Sequence, residues 1–259
     1  MKIAVLVKYV PEPTAKWSYA EDLTLDRGAV EGRLSELDEY AVEQALALVE
    51  KDPESTITYL TMGPAGALDG LRKALAMGGN DAVHVLDDAL HGSDALTTSL
   101  VLSKALERIG FDLVLCGMSS TDGEMSVVPA MVAERLGVAQ VTLAADLAVA
   151  DGAVTVRREG ESESLQVTAP LPAVVSVTDQ NDEPRYPSFK AIMAGKKKPV
   201  AVWTLAELGL GSSDVGASAA ATIVRSAAAK PARQAGVVVV DDGEGAVALA
   251  DFLVAQRLV

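Results

Sequence analysis

Residues 112–136 read DLVLCGMSSTDGEMSVVPAMVAERL, and the fold turns on them. Asp112–Cys116 is a short, continuous apolar run, the pattern of a strand buried on both faces. Met125–Leu136 has the spacing of a helix. Between them Gly117–Ser126 is made of small and polar residues, which let a backbone approach a ligand closely. At the expected helix start, the N–H groups of Ser126, Val127 and Val128 lack a helical acceptor and favour an anion. Ser119, Ser120, Thr121 and Ser126 add hydroxyl donors, whereas Asp122 and Glu124 oppose a phosphate unless they turn away or bind ribose hydroxyls. These residues alone leave two readings open, a nucleotide-phosphate site and an ordinary loop.

Upstream, the same strand–turn–helix unit recurs. Ile3–Val7 is a buried strand, and a polar, proline-containing segment runs from Pro11 to Arg33. Ser35 is a good N-cap, with Asp38 at the capping-box position, and Leu37, Ala41, Ala45 and Leu48 form one apolar helix face. Thr56–Thr61 is a strand, and Met62-Gly63-Pro64 turns into a helix lined by Leu68, Leu71 and Leu75 that ends near Gly78-Gly79. Ala82–Leu86 is another strand, and Leu102, Leu106 and Ile109 mark a helix ended by Gly110. Regular alternation of this kind predicts an α/β fold: a mostly parallel, Rossmann-like sheet with helices on both faces. Ligands of such sheets sit beyond the carboxyl ends of the strands. That rule selects Val7–Pro13, Met62–Ala65 and Gly117–Ser126.

Downstream of Gly137 the pattern changes. Val141–Val149, Val154–Arg158, Ser164–Thr168 and Ala173–Thr178 read as strands joined by turns such as Asp151-Gly152, a β-rich continuation of the same domain. Gly209–Gln234 has the Ala, Ser and Gly content of a linker; Val237–Val240 reads as a short strand and Ala246–Leu258 as a last helix. The expected division is an α/β nucleotide-binding-like domain over 1–208 and a C-terminal arm over 209–259.

Composition narrows the function. Hydrophobic residues make up 49% and aromatics 4%, so the core is built from Ala, Val and Leu. A net charge of -14 argues against nucleic acid, which requires an excess of Lys and Arg. The four lysines of Lys190–Lys198 read as a solvated loop. No apolar run reaches the roughly 18 residues needed to enter a bilayer as a helix. The N-terminus reads as a strand and not a signal peptide, and the single Cys116 permits no internal disulfide, so a cytoplasmic protein is expected. His84, His91 and Cys116 read as structural, and no nucleophile, P-loop or dinucleotide motif is present. A self-contained enzyme is not expected.

Several segments resemble one family. VTVRREGESE (154–163) followed by PLPAVVSV (170–177) is similar to the signature segment of electron transfer flavoprotein β subunits. NDEPRYP (181–187), IMAGKKKP (192–199), Val7-Lys8-Tyr9-Val10 and ALAMGG (74–79) resemble the same family, in order, over about residues 1–210. The resemblance implies a heterodimer with an α subunit that holds most of an FAD, while the β chain binds a structural AMP. It implies electrons taken from flavin dehydrogenases, such as acyl-CoA dehydrogenases, and passed to a membrane quinone oxidoreductase or another acceptor oxidoreductase. Carried over, the AMP pocket takes Leu6, Val7, Lys8, Val10, Ser35, Leu37, Asp38 and Met62. It also takes Gly117, Ser119, Ser120, Thr121, Asp122, Gly123, Glu124, Met125, Ser126, Val127 and Val128.

Where the family usually has Asn or Gln in the phosphate-facing turn, this chain has Ser126-Val127-Val128, leaving backbone N–H groups and the Ser126 hydroxyl as donors. A bifurcating branch carries a second FAD in place of AMP; its motif is matched at Thr121-Asp122-Gly123 and Pro129, but its Gln and the Gly before the proline are absent, so AMP is expected. The resemblance places Pro13 beside the dimethylbenzene edge of the flavin, and makes Phe189, with Ile192 and Met193, a loop anchor for the partner dehydrogenase. Two other readings of the fold are a homodimeric nucleotide-binding stress or signalling protein and an adenylate-transferring enzyme. The latter needs a phosphate loop after the first strand, which Val7-Lys8-Tyr9-Val10 does not offer.

Overall fold

Strand β1 (Lys2–Leu6) sends Ile3 and Val5 into one layer and Ala4 and Leu6 into another, and all four are buried. A strand covered on both sides needs helices above and below it, which short crossover connections supply. After β1 a small antiparallel ribbon, β2 (Tyr9–Pro11) with β3 (Gly32–Leu34), brackets the polar segment. Helix α1 (Glu36–Lys51) then buries Ala41, Val42, Ala45 and Leu48. Strand β4 (Thr56–Met62), helix α2 (Ala67–Met77) and strand β5 (Asp81–Val85) follow. Helix α3 (Ala95–Ile109) is capped by Asp94, whose side chain accepts the Thr97 N–H at 2.9 Å. Strand β6 (Leu113–Gly117) and helix α4 (Val128–Leu136) complete the repeated units.

Seven parallel strands make the main sheet. With β7 (Ala139–Ala144), β11 (Ala173–Val177) and β12 (Val200–Trp203), their order is β12-β5-β4-β1-β6-β11-β7. Strands β8 (Asp146–Ala150), β9 (Ala153–Glu159) and β10 (Ser164–Pro170) form a separate antiparallel sheet. One core layer joins α1, α2 and this small sheet through Ala41, Leu75, Leu147 and Val156; the other joins α3 and α4 through Leu106 and Val132. The α/β architecture with helices on both faces is the one expected.

Local differences have physical causes. The run Val141–Val149 is two strands, because Leu143 takes φ 62° and the Ala145 N–H turns to the Arg157 carbonyl at 2.7 Å. Helix α4 starts at Val128 and not at Met125: Glu124 (φ 50°) and Ser126 (φ 55°) are left-handed, and Pro129 suits a first turn. The lysine-rich stretch is in part helical: Lys190 lies in a helix, and Lys196, Lys197 and Lys198 lie in the turn after it. Ser188 caps helix α5 (Phe189–Gly195), its hydroxyl accepting the Ala191 N–H at 3.3 Å.

The computed structural model describes residues 1–228, 230–233, 236 and 238–259, in two compact units, Met1–Arg225 and Ser226–Val259. In the first unit a short helix α6 (Gly216–Ala219) follows the last strand. Its start is held by the Gly216 N–H on Ser93 Oγ and the Ala217 N–H on the His91 carbonyl, both at 3.0 Å. The second unit contains helix α7 (Gly245–Ala255), apolar all round except Asp251. The expected strand Val237–Val240 lies partly outside the described residues, and 238–240 are not in a strand. Among the described residues no helix is long and apolar enough to cross a membrane.

Candidate functional site

The chain leaves β1 toward β4 on one side, yet β6 lies on the other. The strand order therefore reverses between β1 and β6, and a crevice opens beyond their carboxyl ends. Lys8 follows one strand, the loop after Gly117 follows the other, and the first turn of α1 sits against both.

Asp38 ties these three parts together. Its Oδ2 accepts the Lys8 N–H at 2.8 Å and its Oδ1 accepts the Gly117 N–H at 3.0 Å. The expected capping box at Ser35 is thereby replaced. The Ser35 N–H donates to the Lys8 carbonyl at 2.9 Å, and the Ser35 hydroxyl is fully buried without a hydrogen bond. Burial pushes the Asp38 carboxyl up to about 7, against the two N–H donors and the Lys8 charge, which lower it. Gly117 is required by space: a Cβ there would lie 2.7 Å from Asp38 Oδ1 and from the Leu37 carbonyl carbon.

The loop after β6 folds back on itself, with the Gly123 and Glu124 N–H groups donating to the Ser120 carbonyl at 3.2 and 2.8 Å. Asp122 does not face solvent. Its carboxylate accepts Lys8 Nζ at 2.8 Å and Arg27 Nε and Nη2 at 2.8 and 2.7 Å, and its side chain is 0% exposed. Lys8 Nζ also donates to Ser120 Oγ at 3.2 Å. Burial raises the Asp122 pKa, but Lys8 and Arg27 outweigh it and hold the carboxyl below the usual range. Beside it, Thr121 Oγ1 is buried with no partner. Among the described residues three buried hydroxyls lack a partner; that of Tyr59 lies in the core, and those of Ser35 and Thr121 fit a polar ligand at this crevice. Of α4, the first turn offers the Val128 and Ala130 N–H groups, since Pro129 has none; Ser126 and Val127 lie ahead of it.

The expected residues thus divide. Lys8, Ser35, Asp38, Gly117, Ser120 and Asp122 come together in one hydrogen-bonded cluster. Leu6, Val7 and Val10 have buried side chains and belong to the packing around it. Leu37 and Met62 are half-buried, Met62 ending β4 at the same edge of the sheet, while Pro13 and Met125 are exposed. Arg27 joins the cluster through Asp122. It lies in the long polar segment, and nothing local in sequence ties it to a residue 95 positions away. A cleft of about 640 Å³ lies at the opposite end of the sheet, lined by Met1, Asp112, Gly152 and Leu171, where the topology offers no ligand crevice.

A second feature is the surface of α5. Phe189 is 79% exposed, with Tyr186, Ile192 and Met193 also exposed. Arg185 fastens the approach to this helix: its Nε and Nη2 donate to the buried Glu43 of α1 at 2.8 and 2.7 Å, and its Nη1 to Glu50 at 2.6 Å.

Fold and site define a doubly wound parallel α/β protein with a polar, small-residue crevice at its switch point. A family model described as "Electron transfer flavoprotein domain" matches residues 22–208. Over 99% of both chains it is 44% identical to the electron transfer flavoprotein subunit beta of Mycobacterium tuberculosis, and over 100% of both it is 34% identical to that of Megasphaera elsdenii. It is 30% identical to the "Caffeyl-CoA reductase-Etf complex subunit CarD" of Acetobacterium woodii over 92% of each chain. The chain belongs to the electron transfer flavoprotein β-subunit family.

Proposed function

We propose that this chain is the non-catalytic half of a heterodimeric electron carrier, with an AMP in the crevice between β1 and β6. An α subunit holds most of an FAD, and the β chain completes that site. The observation that carries the reading is Asp38, one buried carboxylate joining the loops after both strands, with the unpartnered Ser35 and Thr121 hydroxyls beside it. Such a crevice can grip a polar ligand through fixed donors without reorganising.

Bound FAD supplies the electron transfer; the chain's residues set distance and exclude water. The exposed turn at Pro13 serves as a shield at the flavin edge. Electrons come from flavin dehydrogenases such as acyl-CoA dehydrogenases, which dock on Phe189, Ile192 and Met193, and leave to a quinone or other acceptor oxidoreductase. Exposed aromatic and aliphatic residues on a fixed helix suit such a contact. The C-terminal arm from residue 209, with its apolar α7, packs on the α subunit, since a helix apolar all round is poorly suited to water. The complex works in the cytoplasm.

A second reading puts another FAD in the crevice. Thr121-Asp122-Gly123 and the likeness to the Acetobacterium woodii complex subunit support it. One measurement separates the two: denature the purified αβ complex and identify the released small molecules. One flavin and one AMP per complex is expected. Two flavins without AMP select the second reading, and no adenine nucleotide beyond the shared flavin rejects both.

A further inference from the structure

We infer that Arg27 and Lys8 are the phosphate-recognition pair of the crevice, with Asp122 as the positioning residue that holds them; this rests on the adenine-nucleotide reading above. The loop after β6 carries two acids, which on sequence alone oppose an anion. The geometry removes that objection. Asp122 is wholly covered, while Lys8 and Arg27 remain 41% and 39% exposed at the side chain. Glu124 is exposed and makes no ion pair among the described residues. A phosphate arriving from solvent therefore meets the cations and not the carboxylate under them. Lys8 and Arg27 set two positive charges beside the one negative charge of Asp122, and the buried Asp38, also within the field of Lys8, has its carboxyl raised to about 7.

The orientation is also fixed. Asp122 takes Arg27 through Nε and Nη2, an arrangement that sets the guanidinium plane and leaves Nη1 free of Asp122 for a second acceptor. Lys8 Nζ, held by Asp122 and Ser120 Oγ, keeps a third donor. The unpartnered Thr121 Oγ1 adjoins Asp122 in the chain, and the unpartnered Ser35 Oγ belongs to the residue whose N–H binds the Lys8 carbonyl. Asp38 does not compete, since each of its oxygens already holds a backbone N–H. The ligand chemistry is the phosphate ester of an adenosine nucleotide. Whether it belongs to AMP or to FAD is read from what the complex releases.

The test compares AMP with adenosine by calorimetric titration of the αβ complex after its nucleotide has been removed. Wild type should prefer AMP by at least about tenfold, a modest value for charge-assisted bonds. Arg27→Gln should lose most of that preference, with adenosine affinity unchanged and flavin content retained. Arg27→Lys, which keeps the charge without the fork, should fall between. Lys8→Met supplies an independent second cation deletion with the same expected loss. If both Arg27→Gln and Lys8→Met keep the wild-type preference, the assignment is overturned while the nucleotide site stands. If wild type binds neither ligand, the nucleotide reading falls and takes this one with it.

Discussion

At Gly117 the main chain of β6 passes so near α1 that a methyl group has nowhere to go, and Asp38 fills the remaining space with its carboxylate. Burial raises that carboxyl from 3.8 to about 7, so between these values the folded chain keeps a proton that the unfolded chain has released. The stabilisation from Asp38 is therefore complete below the unfolded value, declines as pH rises, and stops changing once pH has passed about 7. Asp38→Asn cannot titrate, and it sets an amide N–H₂ against a backbone N–H. The gap in unfolding free energy between wild type and variant should shrink by roughly 2 to 3 kcal/mol between about pH 5 and about pH 8, at 1.4 kcal/mol per pKa unit. Urea titrations at both pH values check this, and an unchanged gap contradicts it. Single residues were legible where they end an element: Gly117 closes a strand and Asp38 opens a helix, so topology alone brings them to one place. Arg27 was not legible, because its role depends on a contact made only after the polar segment folds back onto the β6 loop.

Helix α5 shows what seven residues need in order to form a helix beside water. Ser188 caps its start, and Gly195 seats its end so tightly that a Cβ would lie 2.7 Å from the Ala76 nitrogen. Arg72 donates to the Gly195 and Lys198 carbonyls at 3.2 and 2.8 Å, and Lys198 Nζ donates to the Leu75 and Gly78 carbonyls near the end of α2, both at 2.8 Å. Lys198 is thus a structural cap, and the lysines left to face a partner are Lys190, Lys196 and Lys197. For the docking proposed above, an α5 with both ends fastened would present Phe189 without a loop to order on binding, which would lower the cost of association. Phe189→Ala should raise the KM for the carrier in a dehydrogenase-driven assay about tenfold, the scale of one hot-spot side chain. Flavin content should not change. Loss of flavin instead would make Phe189 part of the cofactor site. Long elements were legible because a dozen residues average out local accidents. The four residues of β12 and the seven of α5 were not, since neither carries enough periodicity, and the break between β7 and β8 falls at Ala145, whose N–H turns to the distant Arg157 carbonyl.

On the scale of the whole chain, the two compact units make separable claims. Deleting Ser226–Val259 should leave Met1–Arg225 folded, with a melting temperature within about 4 °C of the full chain's, the shift expected of about 1 kcal/mol in a unit of this size. The same deletion should abolish co-purification with the α partner. A shortened chain that unfolds contradicts the independence of Met1–Arg225, and one that still pairs fully removes Ser226–Val259, with α7, from the proposed contact. The sheet order has a consequence during synthesis. In register, Ile3 stands beside both Ile57 and Leu113, and β6 must in turn accept β11 before that side of the sheet extends. A ribosome that has released only the first hundred residues therefore exposes β1 with one bare, apolar edge, open to pairing with a neighbouring nascent chain. That edge stays unpaired within the chain until β6, and after it β11, has been made.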